Sequence, residues 1–197
     1  MARTPIPYQI ERVADLTFES VYEDLVAFVW RTARRLGVDG AALDDVCQDV
    51  FLAVHNGLSD FDGLSSVRTW VFGILQNRVL MYRRSVARKN LAVRTGSELV
   101  DADRVGTTDK TPYELVSSAQ ALQIAHGILD TLSDEKREVF VLVELEQWSI
   151  VDAAAALDVN VNTASARLRA ARKEFAQAAH RVRIRDSVRN RDSWRPE

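Results

Sequence analysis

Apolar residues recur every three or four positions along two stretches of the chain, residues 17–89 and 114–179. This spacing places them on one face of an α-helix. The pattern predicts helices at about residues 18–36, 41–55, 66–88, 114–132, 134–147, 150–158 and 162–175. The predicted inward-facing residues of the first three helices are Val21, Leu25, Phe28, Val29, Thr32, Leu36, Leu43, Val46, Val50, Val54, Trp70, Val71, Ile74 and Leu75. Glycine (8 residues) and proline (4) are scarce, so we predict an all-α fold.

Small polar residues and glycines mark the predicted helix ends. Gly37 is a stop signal after the first helix, and Ser65 or Ser66 can cap the third helix after a turn-rich loop. Ser133 can cap the helix that follows it. Ser149 and Asp152 have the spacing of a capping box, in which each side chain bonds the other residue's backbone N–H.

The chain divides into two small helical domains joined by a flexible linker. Residues 1–16 form an N-terminal extension, and residues 17–89 form the first helical domain. Residues 90–113 have little periodicity and several polar residues, as linkers do. Residues 114–179 are the second helical domain. Residues 180–197 are an Arg-rich tail without a clear apolar face, which we expect to be a frayed extension or disordered.

The net charge of −2 is an average over opposed blocks. Residues 39–62 contain six acids and no Lys or Arg, whereas residues 78–97 contain six bases and no acid. Residues 163–191 contain nine bases against Glu174 and Asp186. A single block of this kind is usually a solvated helix face, but three alternating blocks favour two contacts with polyanions and one with a different partner.

Residues 149–175 have the spacing of a helix-turn-helix, with a break at residues 158–161 and a second helix capped by Asn162. At 100° per residue, Ala164, Leu168, Ala171 and Phe175 lie on one side and form the predicted buried stripe. The opposite side and its flanks are small, polar or basic. Such a face suits a DNA groove, although a surface hairpin in a helical bundle is the alternative.

Several other classes of protein lack support in the sequence. The one cysteine, Cys47, falls within a helical pattern and is predicted to be core. His55, His126 and His180 lack metal-ligand spacing, and no Gly-rich phosphate loop is present, so we predict no enzyme activity, no metal and no cofactor. No apolar run of membrane-spanning length and no secretory signal occur, which favours the cytoplasm and no membrane insertion.

Three motifs resemble those of bacterial RNA polymerase sigma factors of the extracytoplasmic-function (ECF) group. Residues 43–55, LDDVCQDVFLAVH, are similar to the family's region 2.2, and residues 65–84, SSVRTWVFGILQNRVLMYRR, to the −10 segment that follows. Residues 132–175 resemble region 4, in which an LPxxxRxVF-like motif precedes the helix-turn-helix. The resemblance covers about residues 17–179 and implies a factor that directs core polymerase to promoters without ATP.

The resemblance also implies roles for individual residues. Asp45, Gln48 and Asp49 would bind the clamp helices of the polymerase β′ subunit. The loop and helix that would capture a flipped base and the opened strand of the −10 element contribute Phe61, Asp62, Gly63, Leu64, Ser65, Ser66, Arg68, Asn77, Arg78, Tyr82, Arg83 and Arg84. The −35 duplex would be bound by Asn162, Thr163, Ser165, Ala166, Arg167, Arg169, Arg172 and Lys173. Region 4 would also touch the β flap, and an anti-sigma factor would hold the protein inactive.

Some positions depart from the family's pattern. Gly73 and Met81 stand where a basic residue and an acid are common, and Asn162 and Ser165 stand where glycine and lysine are common. The main alternative function is a helix-turn-helix regulator that binds DNA without polymerase and has no use for the acidic helix. A helical enzyme and an inactive adaptor are further alternatives.

Overall fold

The structure, a computed structural model, describes residues 16–94 and 122–192, with side chains for residues 16–89 and 122–183. Within those ranges the backbone is helical with no strand, which confirms the all-α prediction. The N-terminal domain contains α1 (Phe18–Arg35), α2 (Gly40–Gly57), a 3-10 turn (Leu58–Asp60) and α3 (Val67–Arg94). The C-terminal domain contains α4 (residues 122–129), α5 (Asp134–Phe140), a π-helical turn (Val141–Leu145), α6 (Ile150–Ala156) and α7 (Val161–Asp192).

The first helices form for the reasons that the sequence indicates. Thr17 and Ser20 form a capping box at the start of α1, each side-chain oxygen accepting the other's backbone N–H at 3.2 Å. After α1, Gly37 adopts a φ of +94°, a left-handed conformation that glycine adopts without strain. Ser66 caps α3, because its Oγ accepts the Thr69 N–H at 3.1 Å.

The predicted inward-facing stripes form the core of the N-terminal domain. All ten positions predicted for α1 and α2 are buried, and so are Val71 and Leu75 of α3. Trp70 and Ile74 are half-buried and pack against this core. Cys47 is buried at 8% exposure, as predicted, and burial, with the nearby Asp44 charge, raises the pKa of its thiol to about 11.

The C-terminal domain packs α5, the π turn and α6 against α7. The predicted stripe of α7 is confirmed, since Ala164, Leu168 and Ala171 are buried and Phe175 is half-buried. The Phe175 ring stacks on Phe140 with centroids 4.8 Å apart. Small residues on the inner faces of α6 and α7 let the two helices approach closely, as a helix-turn-helix requires.

The two domains share one continuous core. Trp148, in the turn before α6, lies between Phe28 of α1 and Phe72 of α3, at ring-centroid distances of 6.1 Å and 5.7 Å. On the far side of the same contact, Arg137 of α5 donates to the Leu36 carbonyl at 3.3 Å and lies over Gly37. The space above Gly37 is filled, because a Cβ built there would clash with Arg137 Nη1.

Two predictions about helix ends were wrong, and a third is narrowed to one of its alternatives. The residue that caps α7 is Asn160 rather than Asn162, because the helix begins at Val161, two residues earlier than a cap at Asn162 implies, and Asn160 Oδ1 accepts the Asn162 N–H at 2.8 Å. Of the two alternatives for the tail, a frayed extension or disorder, the structure favours an extension, since α7 continues to Asp192. Helix α3 continues through Arg94, into the segment predicted as linker. Both helices extend beyond the last residue that the core requires, which periodicity does not reveal.

Two further predictions, about the residues that cap helices, are confirmed in part. Ser149 caps α6 by accepting the Asp152 N–H at 3.0 Å, and its hydroxyl donates to the Asp152 carboxylate at 2.6 Å. Ser133 occupies the N-cap position of α5 but makes no side-chain capping bond. The predicted helix over 114–132 is described from residue 122 onward, and its earlier residues lie outside the described ranges, as does most of the predicted linker.

Candidate nucleic-acid and partner interfaces

The acidic face of α2 is exposed along its length. Asp45, Gln48 and Asp49 all lie on the outside, opposite the buried Val46 and Val50. The structure therefore presents the three residues that we assigned to polymerase on one accessible helix face.

An apolar groove of about 520 Å³ adjoins this face between α1 and α2, and sequence reasoning missed it. Its lining includes Tyr22, Trp30 and Leu52, which are exposed at 43%, 41% and 55%, and Gln48 at its edge. The Trp30 Nε1–H donates to Asp44 Oδ1 at 3.4 Å. Large apolar side chains left exposed together are typical of a docking surface. Aromatic residues on the outer flank of α1 were the signal available in the sequence.

The loop before α3 presents one apolar side chain to solvent. Asp62 Oδ1 accepts the Leu64 N–H at 3.0 Å, and Gly63 between them has a φ of +73°. This tight turn leaves Leu64 89% exposed. Phe61 differs from our expectation, because its ring is 9% exposed and packs on Trp70 at 5.1 Å. Phe61 therefore anchors the loop and does not present its ring for stacking on DNA.

The residues predicted to contact the −10 strand along α3 have different environments. Asn77 and Arg84 are exposed, and Arg78 is half-buried. The Tyr82 hydroxyl donates to Asp39 Oδ2 at 3.1 Å, and its burial raises the pKa of the phenol. Ser65 and Ser66 are exposed beside the start of the helix.

Arg68 and Arg83, two further members of that set, are engaged by acids of the C-terminal domain. Arg83 Nη1 lies 2.6 Å from Asp134 Oδ1. Arg68 Nη2 lies 3.2 Å from Glu146 Oε2, and its guanidinium also lies over the rings of Phe28 and Trp148, at 4.4 Å and 5.1 Å. In this arrangement neither cation presents its whole guanidinium to a DNA strand.

Glu146 is the centre of a charged cluster that sequence reasoning missed. Its side chain is 2% exposed and accepts hydrogen bonds from three arginines of the N-terminal domain. Arg31 binds both carboxylate oxygens, with Nε at 3.0 Å and Nη2 at 2.9 Å, and this bond raises the pKa of its guanidinium. Arg35 and Arg68 complete the set, which we call the Glu146 cluster. An acid within the apolar run VLVELEQW was the only local signal.

The outer face of α7 matches its predicted composition. Asn162, Thr163, Ala166, Arg169 and Lys173 are exposed. The flanking Ser165 and Arg167 are half-buried, and Arg172 is exposed. Arg172 Nη2 binds Glu144 at 2.6 Å, and Arg167 lies 3.8 Å from Glu135. The first turn of the helix therefore presents small and polar side chains, and the next turns present bases.

The turn before α7 is built from local backbone bonds. Asp158 has a φ of +50°, and the Val159 N–H donates to the Ala154 carbonyl at 3.0 Å. Such left-handed residues end helices and reverse the chain. Within the described residues no His, Cys, Asp or Glu side chains are grouped so that they could hold a metal ion, and no helix there is long and apolar enough to cross a membrane.

Comparisons with known proteins identify the family to which the protein belongs. Residues 21–89 match the model for Sigma-70 region 2, and residues 122–175 match the model for Sigma-70, region 4. RNA polymerase sigma factor CnrH of Cupriavidus metallidurans is 30% identical over 148 residues, or 74% of this chain and 78% of CnrH. ECF sigma factor SigL of Mycobacterium tuberculosis is 29% identical over 151 residues, or 76% of this chain and 81% of SigL. The chain belongs to the ECF group of the sigma-70 family.

It is therefore a sigma factor, which directs RNA polymerase to promoters for transcription initiation, and proteins of this family are DNA-binding factors and not generally enzymes. Two solved structures share its fold. Sigma factor RpoE of Bartonella quintana, in complex with the anti-sigma factor NepR, matches with a TM-score of 0.65 at 20% identity, over 83% of this chain and 96% of RpoE. CnrH in complex with the cytosolic domain of CnrY matches at 0.63 and 23%, over 85% and 92%.

Proposed function

We propose that this sigma factor divides its contacts among three surfaces. The acidic face of α2 binds the β′ clamp helices, the loop before α3 and the α3 face capture the −10 strand, and the start of α7 reads the −35 duplex. The observation that carries this assignment is the outer face of α7, where small and polar residues surround the helix N-terminus, opposite the buried Ala164, Leu168 and Ala171. Helix N-termini favour phosphates, and short side chains allow close approach to base edges.

The polymerase contact combines charge with apolar area. Asp45, Gln48 and Asp49 supply acid and amide groups, and the neighbouring groove supplies Trp30 and Leu52. Apolar area provides most of the affinity of such interfaces, whereas charge increases the association rate and the specificity. A basic amphipathic helix is the shape and charge that this combination fits.

Transcription in vitro with core polymerase tests the assignment and returns the promoter sequence when genomic fragments are used as templates. The Asp45→Arg, Asp49→Arg double variant should lose core binding, because it replaces two attractive charges with repulsive ones. The matched control is Glu23→Arg, Asp24→Arg, which makes the same charge change on exposed positions of α1. Equal core binding by the parent and the α2 variant would refute the polymerase assignment of α2.

The same experiment separates the sigma function from that of a regulator that binds DNA alone. A sigma factor requires core polymerase for promoter-specific binding, and a regulator does not. Thr163→Ala on α7 should reduce transcription only from templates that contain the −35 element, whereas the exposed Gln177→Ala, farther along the same helix, should have no effect. A loss with Thr163→Ala on every template would contradict duplex reading by α7.

We also propose that an anti-sigma factor binds this protein. Of the solved structures that share the fold, RpoE is in complex with the anti-sigma factor NepR, and CnrH is in complex with the cytosolic domain of CnrY. Affinity purification of the tagged protein from its own cells should recover both core polymerase and a small regulator. Recovery of polymerase alone under all growth conditions would contradict this proposal.

A further inference from the structure

Helix α7 continues well beyond the stretch that matches the region 4 model. The match ends at residue 175, whereas the helix ends at Asp192, about five turns later. Residues 176–192 contain five arginines, two aspartates and His180. We call this segment the basic extension. Its charge is not needed to bury the inner stripe of the helix-turn-helix, so it requires an explanation outside the core.

The first part of the basic extension has an inner and an outer side. Ala178 is buried and Val182 is half-buried, whereas Gln177 and His180 are exposed. Because α7 is one continuous helix, the outer side of the extension continues the outer side of the preceding turns. At about 100° per residue, His180 lies within about 20° of Lys173 around the axis. The face that we assign to DNA therefore runs on into the extension.

Two exposed arginines of the extension lie on opposite flanks of this face. At about 100° per residue, Arg181 lies about 80° to one side of Lys173 and Arg183 about 80° to the other; both are exposed. A helix is about 10–12 Å wide with its side chains, and the major groove is about 12 Å wide between the two phosphate backbones. Arg181 lies about 27 Å along the axis from Thr163, which is less than one DNA turn of about 34–36 Å.

The flanking arginines nearer the start of α7 are paired with acids of their own domain. Arg172 binds Glu144 at 2.6 Å. Arg167 lies 3.8 Å from Glu135. Arg181 differs from both, because it makes no ion pair with any residue that the structure describes. Its guanidinium therefore keeps its full charge for an anion outside the chain.

We propose that the basic extension binds phosphates of duplex DNA beside the −35 element, through Arg181 and Arg183, without reading base sequence. The proposal rests on the proposed reading of the −35 duplex by the start of α7, which brings the extension to the DNA. Guanidinium groups form paired, charge-assisted hydrogen bonds with phosphates, and such contacts position a protein without specifying sequence. Duplex DNA fits better than an acidic protein surface, because two strands border a groove as the two arginines border the helix.

The salt dependence of promoter binding by the reconstituted holoenzyme tests this contact. Each phosphate contact adds about 0.9 to the slope of log affinity against log salt concentration. Between about 50 and about 200 mM salt, the parent should therefore lose about 3.5-fold more affinity than Arg181→Gln, and about 12-fold more than the Arg181→Gln, Arg183→Gln double variant. Both arginines are exposed, so the circular dichroism of each variant should match that of the parent.

Two protein controls separate a phosphate contact from a change in net charge. Lys136→Gln also removes one positive charge from the C-terminal domain, but Lys136 lies on α5 and already pairs with Glu174 at 2.6 Å. Its slope should equal that of the parent. Arg181→Lys keeps the charge and should keep the slope. Equal slopes for the parent and Arg181→Gln, or the same loss of slope in Lys136→Gln, would overturn the proposal.

A change in the DNA identifies the partner. Methylphosphonates, which are uncharged, replace the phosphates of both strands in the base pairs that flank the −35 element. On this DNA the slope for the parent should fall, and Arg181→Gln should lower it no further. If Arg181→Gln lowers the slope equally on natural and neutralised DNA, the arginine binds an acidic surface of polymerase and the proposal is wrong.

The phosphate contact and the proposed reading of the −35 element can fail separately. Arg181→Gln should reduce affinity by the same factor on promoters with different −35 sequences, whereas Thr163→Ala should not. If Thr163→Ala fails to discriminate among templates while Arg181→Gln lowers the slope, base reading by α7 is wrong and the phosphate contact stands. If Thr163→Ala acts as expected and the slope is unchanged in Arg181→Gln, only the phosphate contact is wrong.

Discussion

The exposed side chain of Leu64 gives the sharpest test of the proposed −10 surface. Leu64 is 89% exposed on a turn fixed by Asp62 and Gly63, so almost none of its area contributes to folding. Complete burial of a leucine side chain is worth about 1.5–3 kcal/mol, and alanine retains the first carbon, which leaves about 1–2 kcal/mol for Leu64→Ala. That difference corresponds to about a 5–30-fold loss of affinity for the opened strand.

The assay is fluorescence anisotropy of a labelled single-stranded −10 oligonucleotide, titrated with polymerase that carries the parent or the variant. Leu122→Ala is the matched control, because it removes the same atoms from a leucine that is 56% exposed on α4, outside the three proposed surfaces. The free energy of unfolding of each variant should lie within about 0.5 kcal/mol of that of the parent. Equal strand affinity of Leu64→Ala and the parent, at equal core binding, would refute base capture by this loop.

Three further predictions concern stability and reactivity. Leu168→Ala should lower the free energy of unfolding by about 2–5 kcal/mol in denaturant titration, because it leaves a cavity under α7; a change below about 1 kcal/mol would contradict the packing described. The Cys47 thiol, with a pKa raised to about 11 by burial and Asp44, should react with iodoacetamide far more slowly at pH 8 in the native protein than in guanidinium; equal rates would contradict its burial. Burial also raises the pKa of Glu138, which accepts a hydrogen bond from Gln76 at 3.0 Å. The stability that protonated Glu138 contributes is therefore present in acid and is lost as the pH rises through the pKa of Glu138 in the folded protein. Glu138→Gln should therefore gain stability relative to the parent as the pH rises from about 4.5, the usual pKa of a glutamate side chain, to neutrality. Thermal melts that shift in parallel across that range would contradict this assignment.

The inner faces of the helices could be predicted because they depend on local periodicity. Val21, Leu25, Val50 and Leu168 were assigned to the core from spacing alone, and all four are buried. Helix ends were harder, because several polar residues in a row can serve as the cap. Asn160 and Asn162 are two residues apart and chemically identical, and only the backbone geometry selects Asn160.

The residues of the candidate surfaces also divide into those on helices, whose exposure could be predicted, and those in loops, whose exposure could not. Exposure of Asp45, Gln48 and Asp49 follows from their position opposite a buried stripe, so the sequence predicted it. The burial of Phe61 does not follow from any helical pattern, because it lies in a loop and depends on the Trp70 ring beside it. Loop residues have no periodic constraint, so their orientation is set by the core on which the loop rests.

The sequence by itself determined the all-α class, the division into two helical domains and the polar outer face of α7, because each is written in spacing within one segment. Only the tertiary structure decided that Glu146 meets Arg31, 115 residues earlier, and Arg68, 78 residues earlier. No periodicity relates residues so far apart, since their pairing depends on how one domain packs on the other. The Glu146 cluster is therefore visible only when both domains are seen together.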